Sequence, residues 1–282
     1  NQEYKARASL GSFNTQNYKL SLSDGLLSKL FYGIQAKRTT SDGFREHSDY
    51  ENNVVKAKLD YLLTEKQIIN FVYDYTKNKR GSNPWALTEA LIQKNYKQAR
   101  PGSDKDNSNS NQNRINLGYK NEISDEFYID GRASYKNRTD ESFYTSGSAY
   151  TSTKERSEKE KSFAFNLFGV AEQELFGFGN DLSIGIDFEN CNYDYLEWGA
   201  PNQVRGALSK DYKIKRNKFG PYLQDEIELS QRMNFTLGCR YDLIKTEFVD
   251  NKVNANSNDV SIDDFSYRAG ATFFYLLNCK IY

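Results

Sequence analysis

The amino-acid sequence predicts an all-β chain, an antiparallel barrel that crosses a membrane with strands, and three observations predict it. Apolar and polar residues alternate with a period of two over many short segments. The connections between those segments alternate between very short and long, the asymmetry of a barrel with tight turns on one side and loops on the other. Aromatic residues make up 15% of the chain, with 21 Tyr and 18 Phe against 4 Pro, a surplus that suits strands and the interfacial girdles of a membrane barrel. The mean hydropathy of -0.81 does not oppose this, because only every second residue of such a strand faces lipid. Helical spans need runs of about 18 or more apolar residues, and the apolar stretches here, such as Phe273 to Leu277, are far shorter.

Taken in order, about twelve strands are expected. The first, at about 3–12, presents Tyr4, Ala6, Ala8 and Leu10 on one face. The second and third, at about 15–24 and 29–39, follow a short link around Ser12-Phe13-Asn14. The fourth (52–63) aligns Val55, Ala57, Leu59 and Tyr61, and the fifth (67–78) aligns Ile69, Phe71, Tyr73 and Tyr75. The sixth, seventh and eighth fall at about 113–121, 126–138 and 161–175. In the ninth (181–191), Leu182, Ile184, Ile186 and Phe188 alternate with Ser183, Gly185, Asp187 and Glu189. The tenth is expected at 217–229, and the eleventh (233–247) alternates Phe235, Leu237, Cys239, Tyr241 and Leu243 with polar neighbours. The twelfth is placed at 263–275, and the ending Asn278 to Tyr282 falls short of a closing strand.

Tight turns are expected at Thr64-Glu65-Lys66, Ile123-Ser124-Asp125 and Ser230-Gln231-Arg232, and long polar loops at about 40–51, 79–112, 139–160, 192–216 and 248–262. Leu87, Ala90, Leu91 and Tyr96 have the spacing of a short helix within Ala86 to Gln98. The mixed-charge run Lys154 to Lys161 reads as a solvated loop end. A β-propeller would need four short strands per repeat and turn lengths that do not alternate in this way.

Composition also bounds function. With 38 basic and 38 acidic side chains, the chain has no basic excess to neutralise phosphates, so nucleic acid is not an expected partner. Cys191, Cys239 and Cys279 are odd in number and widely spaced, which shows neither a disulfide framework nor a metal site. Phosphate loops, Ser-His-Asp arrangements and metal-ligand clusters are missing from the sequence, so neither an enzyme nor a cofactor is expected. Gln224, Asp225, Glu226, Arg240 and Asp242 resemble paired catalytic groups on paper, but charges on a wet barrel face form ion-pair ladders. Asp225 falls on the apolar face beside Leu223 and Ile227, which puts it near the periplasmic rim or at a register break. The lone histidine, His47, reads as a loop residue. The candidate ligand contacts are aromatics expected on outer loops, Trp85, Tyr96, Tyr144, Tyr193, Tyr195 and Trp198, because such rings can stack on planar ligands.

The segment Phe219-Gly220-Pro221-Tyr222-Leu223-Gln224-Asp225-Glu226 leads through a tight turn into Gly238-Cys239-Arg240-Tyr241-Asp242. This pair resembles the Tyr-x-Gln-Asp-Glu and Gly-x-Arg-Tyr-Asp hairpin of TonB-dependent receptor barrels. Ser266-Tyr267-Arg268-Ala269-Gly270 is similar to the family's next strand, Ser-Pro-Arg-x-Gly, with Tyr267 in place of the proline. Leu10 to Thr15 and Thr40 to Arg45 resemble its first strands and second outer loop. The resemblance implies that residues 1–282 are the N-terminal part of a barrel of about 22 strands with a plugged lumen. A plug and a TonB-contacting segment would precede the first strand, about ten strands would follow the last, and the chain would be a fragment or a truncated reading frame. Asn1-Gln2-Glu3-Tyr4 shows no signal peptide, which would lie upstream. The implied function is energised uptake of a scarce ligand at the bacterial outer membrane, most naturally a ferric siderophore or other iron complex, with haem and cobalamin as further ligands of this kind. The implied partners are outer-membrane lipid, the ligand, and the TonB complex through the missing N-terminal region. A passive porin-type channel would show the same alternation, and a soluble all-β adhesin is a third reading.

Overall fold

Alternating segments satisfy their backbone groups by pairing laterally. In the computed structural model, which describes residues 2–26, 28–81, 87–103, 106–146, 152–175, 177–201, 204–276 and 279–281, they do so in one sheet. Thirteen strands among the described residues follow each other in chain order, each antiparallel to the next. They begin with β1 (Glu3–Gly11), β2 (Thr15–Leu26), β3 (Leu30–Ser41), β4 (Tyr50–Thr64), β5 (Gln67–Arg80) and β6 (Asn107–Glu122). They continue with β7 (Phe127–Ser146), β8 (Ser152–Leu175), β9 (Phe178–Gly199), β10 (Leu208–Ser230), β11 (Met233–Asp250), β12 (Asn258–Leu276) and β13 (Cys279–Ile281). The final three-residue strand, within the ending expected to fall short, pairs with β12.

The expected segments are all strands, and the two ends of the sheet differ as expected. One end carries the tight turns at 65–66, 123–126 and 231–232, and the other carries the longer connections at 42–49, 81–106 and 251–257. The short link Ser12-Phe13-Asn14 is a three-residue hairpin connection on the loop side. Phe13 and Asn14 both take left-handed backbone (φ 57° and 52°), as the twist of a tight hairpin requires, and Thr15 closes the turn onto the Ser12 carbonyl.

The loop lengths are corrected. β8, β9 and β10 are 24, 22 and 23 residues long, whereas a tilted crossing needs about 9–11. Much of the expected loops 139–160 and 192–216 is therefore strand, and only 147–151 and 200–207 intervene between strands. Lys154 to Lys161, expected as a loop end, lies inside β8. The physical reason is that both faces of a strand beyond the bilayer meet water, so the apolar period disappears while the hydrogen-bond ladder continues. The expected helix contracts to α1 (Glu89–Lys94).

One face of the sheet is apolar. Ile184, Leu117 and Leu237 on it are 61, 51 and 44% exposed, and among the described residues only Val170, Tyr195 and Ala200 are buried apolar residues. A large bare apolar face without a core is the surface a bilayer covers. The other face is polar and held by lateral ion pairs. Arg240 reaches Asp187 (2.5 Å) and Asp242 (2.9 Å), and Asn166 donates to Asp187 (2.5 Å). Added Cβ atoms would be crowded at two places there: one on Gly185 would lie 2.5 Å from the Tyr222 ring and 2.8 Å from Phe168 Cβ, and one on Gly220 would lie 2.3 Å from the movable end of the Arg240 guanidinium. Asp225 lies at the rim, close to the end of β10 on the apolar face, where Asn180 donates to it at 2.7 Å. The register irregularity comes later, between Glu228 and Ser230.

Candidate functional site

The outer extensions of β7 to β11 bring aromatic and charged side chains together on the polar face. Register sets the cluster. Glu160 and Ile214 flank Tyr193, Glu158 and Tyr212 flank Tyr195, and Arg156 and Lys210 flank Glu197. Tyr144 lies opposite Lys154 one strand away.

Glu197 is the centre, with its side chain 1% exposed. It accepts hydrogen bonds from the hydroxyls of Tyr195 (2.8 Å) and Tyr144 (3.0 Å) and from Lys154 Nζ (3.0 Å), and Lys210 Nζ stands at 3.5 Å. Burial alone would raise its pKa. The donors Tyr195, Lys154 and Tyr144 outweigh burial and hold the carboxylate at about 2. Burial, reinforced by the bond to Glu197, pushes the Tyr195 phenol up, and burial with the bond to Glu158 (2.9 Å) does the same for Tyr193.

Arg156 lies over the rings of Tyr144 and Tyr195, at 4.9 and 5.4 Å, and its guanidinium donates to the Tyr144 hydroxyl at 3.2 Å. Tyr195 stacks on Tyr212 at 4.4 Å and 8°, and Tyr212 meets Phe248 at 5.5 Å. The result is a wall of packed rings, one pair stacked and one tilted, with a guanidinium set among them. Such a surface can hold a planar or aromatic ligand by stacking and an anionic one by charge.

Of the expected ligand contacts, the structure brings Tyr144, Tyr193 and Tyr195 together, on strands instead of loops. Trp198 does not join them. It alternates onto the opposite face, where Arg205 lies over its ring at 4.4 Å and pairs with Glu155. Tyr96 belongs to a separate group, its ring 5.8 Å from Phe44, which meets Phe13 edge-on at 5.5 Å. That group is set by the stapling of the connection 81–106 to 42–49, in which Arg45 donates to the Gln98 carbonyl (3.0 and 3.1 Å) and the Glu46 amide to Lys97 (2.8 Å). Trp85 lies outside the described residues. His47 occupies the adjoining turn with φ 57°, and Cys191 and Cys239 are free thiols. Sequence reasoning missed Arg156, Glu197, Lys210, Tyr212 and Phe248. Their signal was the continued alternation Tyr193-x-Tyr195-x-Glu197 and Lys154-x-Arg156-x-Glu158.

A meandering sheet with one lipid-facing surface, tight turns at one end and a built polar cluster at the other defines the wall of an outer-membrane β-barrel. The family model for "TonB dependent receptor-like, beta-barrel" matches residues 58–278, and the chain belongs to that family, whose members reside in the bacterial outer membrane. Three solved structures share the fold. The unliganded ferric citrate transporter FecA matches with a TM-score of 0.85 at 14% identity, over 96% of this chain and 41% of its own. The siderophore receptor PiuA from Acinetobacter baumannii matches with a TM-score of 0.82 at 13% identity, over 98% and 48%. The closed form of the ferric-catecholate import receptor Fiu from E. coli K12 matches with a TM-score of 0.80 at 16% identity, over 99% and 49%. The chain thus spans less than half the length of these three structures. In such barrels the polar face lines the lumen, so the Glu197 cluster stands at the outer mouth.

Proposed function

We propose that this chain forms part of the wall of a receptor that takes up an iron complex, most naturally a ferric siderophore, across the outer membrane with energy from the TonB complex. The observation that carries the reading is the aromatic wall of Tyr212, stacked on Tyr195 and tilted against Phe248, with Arg156 beside it, on the polar face at the outer end of a barrel of this family. A barrel holds no energy source of its own. Active transport therefore calls for a lumen-filling domain that contacts TonB, with the remaining wall strands, all contributed by the complete protein. Tyr144, Tyr193 and Tyr212, which are partly exposed, are proposed as ligand contacts, with Tyr195, 5% exposed, as the ring that backs them, and Tyr96 as a contact from the loop group.

The test is uptake of radioiron by iron-starved cells supplied with a panel of iron(III) chelates. Deleting the gene should abolish uptake of at least one chelate, and a protonophore should do the same. Restoring the gene with Tyr212→Ala should raise the half-saturating concentration and leave the protein's abundance in the outer membrane unchanged. Uptake that persists with the protonophore would identify a passive pore and end the proposal.

A further inference from the structure

The two ends of the apolar, outward face are charged differently. Toward the loop side, Tyr75, Phe163 and Phe219 close the outward apolar runs of β5, β8 and β10, and the next cations on that face are Lys77, Lys161 and Lys215, joined on β11 by Lys245. Toward the tight turns, the outward polar residues that end the runs of β5, β6, β8, β9 and β10 are Gln67, Asn121, Gln173, Asn180 and Asp225, none of them basic. Lysines that merely reach from hydrocarbon to water would stand at both ends. Cations at one end alone, as on these strands, match a leaflet whose headgroups are anionic.

The cations gather on β8 to β11, interior strands whose neighbours on both sides are present. Lys161 and Lys215 flank Asn192 in one ladder row, about 10 Å apart, a span that two lysine side chains can close around one phosphate. Asn190, Asn217 and Lys245 lie side by side in the row below, and Lys159 and Lys213 stand on either side of Asp194 in the row above. Lys161, Lys215 and Lys245 are exposed, and among the described residues only Lys215 of the three has a carboxylate within ion-pair distance, Glu247 at 3.7 Å. Asn192 donates to Asn190 (2.9 Å) and Asn190 to Asn217 (2.6 Å), so the amides form one connected strip between the lysines. Deeper on the same face, the β10 to β11 ladder has no pairs at Gly220 and Pro221, and Pro221 brings no N–H to it. An apolar groove of about 610 Å³ crosses the strands there, lined by Leu167, Ile184, Ile186, Pro221, Leu223 and Cys239. From Lys215 to Pro221 is about 20 Å of strand and, at a tilt of about 40°, about 15 Å of depth, half of a hydrocarbon core of about 30 Å. We propose that this face of β8 to β11 is the seat of a phosphorylated glycolipid of the outer leaflet. Lys161 and Lys215 hold a phosphate, the amide strip takes sugar hydroxyls, and the groove receives the end of an acyl chain.

The experiment titrates the full-length receptor, held in neutral detergent, with three lipids and reads bound lipid by native mass spectrometry. The probes are a bis-phosphorylated diglucosamine lipid, the same lipid with its phosphates removed, and phosphatidylglycerol, which is anionic and carries no sugar ring. The first should bind most tightly, and added salt should weaken it while leaving the dephosphorylated lipid unaffected. Lys161→Gln with Lys215→Gln should weaken the phosphorylated glycolipid about thirtyfold, and Lys161→Arg with Lys215→Arg should restore most of that loss. Lys56→Gln with Lys58→Gln, on the opposite face, should leave binding unchanged. Ile184→Trp fills the groove and should weaken both glycolipids alike. Equal binding of the two glycolipids, or tight binding that the Gln pair leaves intact, would overturn the phosphate seat. Equal binding of phosphatidylglycerol would reduce the patch to a general anionic surface and overturn the glycolipid site. The comparison among lipids is made on the parent protein, so it decides the proposal even where a variant does not fold.

Discussion

Replacing Glu197 with Gln tests whether the outer strand extensions are held as a unit. Glu197 is 1% exposed and accepts from Tyr195, Tyr144 and Lys154 at 2.8, 3.0 and 3.0 Å. Hydrogen bonds to a charged group contribute about 1.5–3 kcal/mol each, but three that share one carboxylate are not additive. Linkage gives an independent magnitude. A pKa held at about 2 against an ordinary 4.5 corresponds to about 3 kcal/mol, at about 1.4 kcal/mol per pH unit. Because the folded value is depressed, that stabilisation is complete above the unfolded pKa and is lost as pH falls from about 4.5 through about 2. A Gln keeps one acceptor oxygen but turns a donor toward the phenols or the lysines, so most of the 3 kcal/mol should disappear. The extensions lie beyond the bilayer, so the loss appears as local opening, increased by up to about 150-fold were all of it lost. Hydrogen exchange on the full-length receptor in nanodiscs reads this directly at amides 142–146, 152–158, 193–199 and 208–213, with the β4 to β5 hairpin as internal reference. A change below about threefold there would refute the reasoning.

Three further outcomes follow from other sites. Asp106→Ala removes the acceptor of the Thr145 amide (3.0 Å) and hydroxyl (2.8 Å), which should cost about 1–3 kcal/mol and appear as faster proteolysis within 81–106. Gly185→Ala drives a methyl against the Tyr222 ring and Phe168 Cβ, and should lower stability by about 1–3 kcal/mol. Gly220→Ala meets the movable end of Arg240 and should cost less, so denaturant midpoints in detergent should fall in that order. Arg205→Ala should shift the Trp198 emission, because the guanidinium lies 4.4 Å over that ring, yet leave the denaturant midpoint where it was. A midpoint change as large as that of Gly185→Ala would show that the outward pair is structural.

The crossing portions of the strands were legible because lipid enforces a strict code. Wherever Leu182, Ile184 and Ile186 must face hydrocarbon and Asp187 must face water, the side-chain period is dictated by the solvent on each side, and the sequence records it. The same reasoning explains the misreading of 139–160 and 192–216. Beyond the bilayer, Glu155 and Lys159 on one face and Arg156 and Glu158 on the other all meet water, so the contrast between faces vanishes although the ladder does not. Hydropathy reports where lipid ends, and backbone pairing continues past that line.

This distinction decides how the candidate site is to be understood. Aromatics at Tyr144, Tyr193 and Tyr195 were expected on loops, where a ligand would have to order them at an entropic penalty for every side chain immobilised. On strand extensions the ladder has already fixed their backbone, and Glu197 fixes two of the three side chains by direct hydrogen bonds. A ligand seated there as proposed would meet a surface whose ordering was completed on folding, which favours affinity through preorganisation. Adaptability would then have to come from elsewhere, and the connection that carries Tyr96 is the proposed source. Tyr96, on that connection, remains 55% exposed; its neighbours are tied to the adjoining loop by the Arg45 and Glu46 staples, while the far end of the connection is tied to β7 through Asp106 and Thr145. Arg45→Ala removes the guanidinium staple to Gln98 and leaves the Glu46 contacts in place, so it should loosen Tyr96 in part without disturbing the Tyr195 to Tyr212 stack. A loss of protection in both places together would mean that wall and loop form one unit.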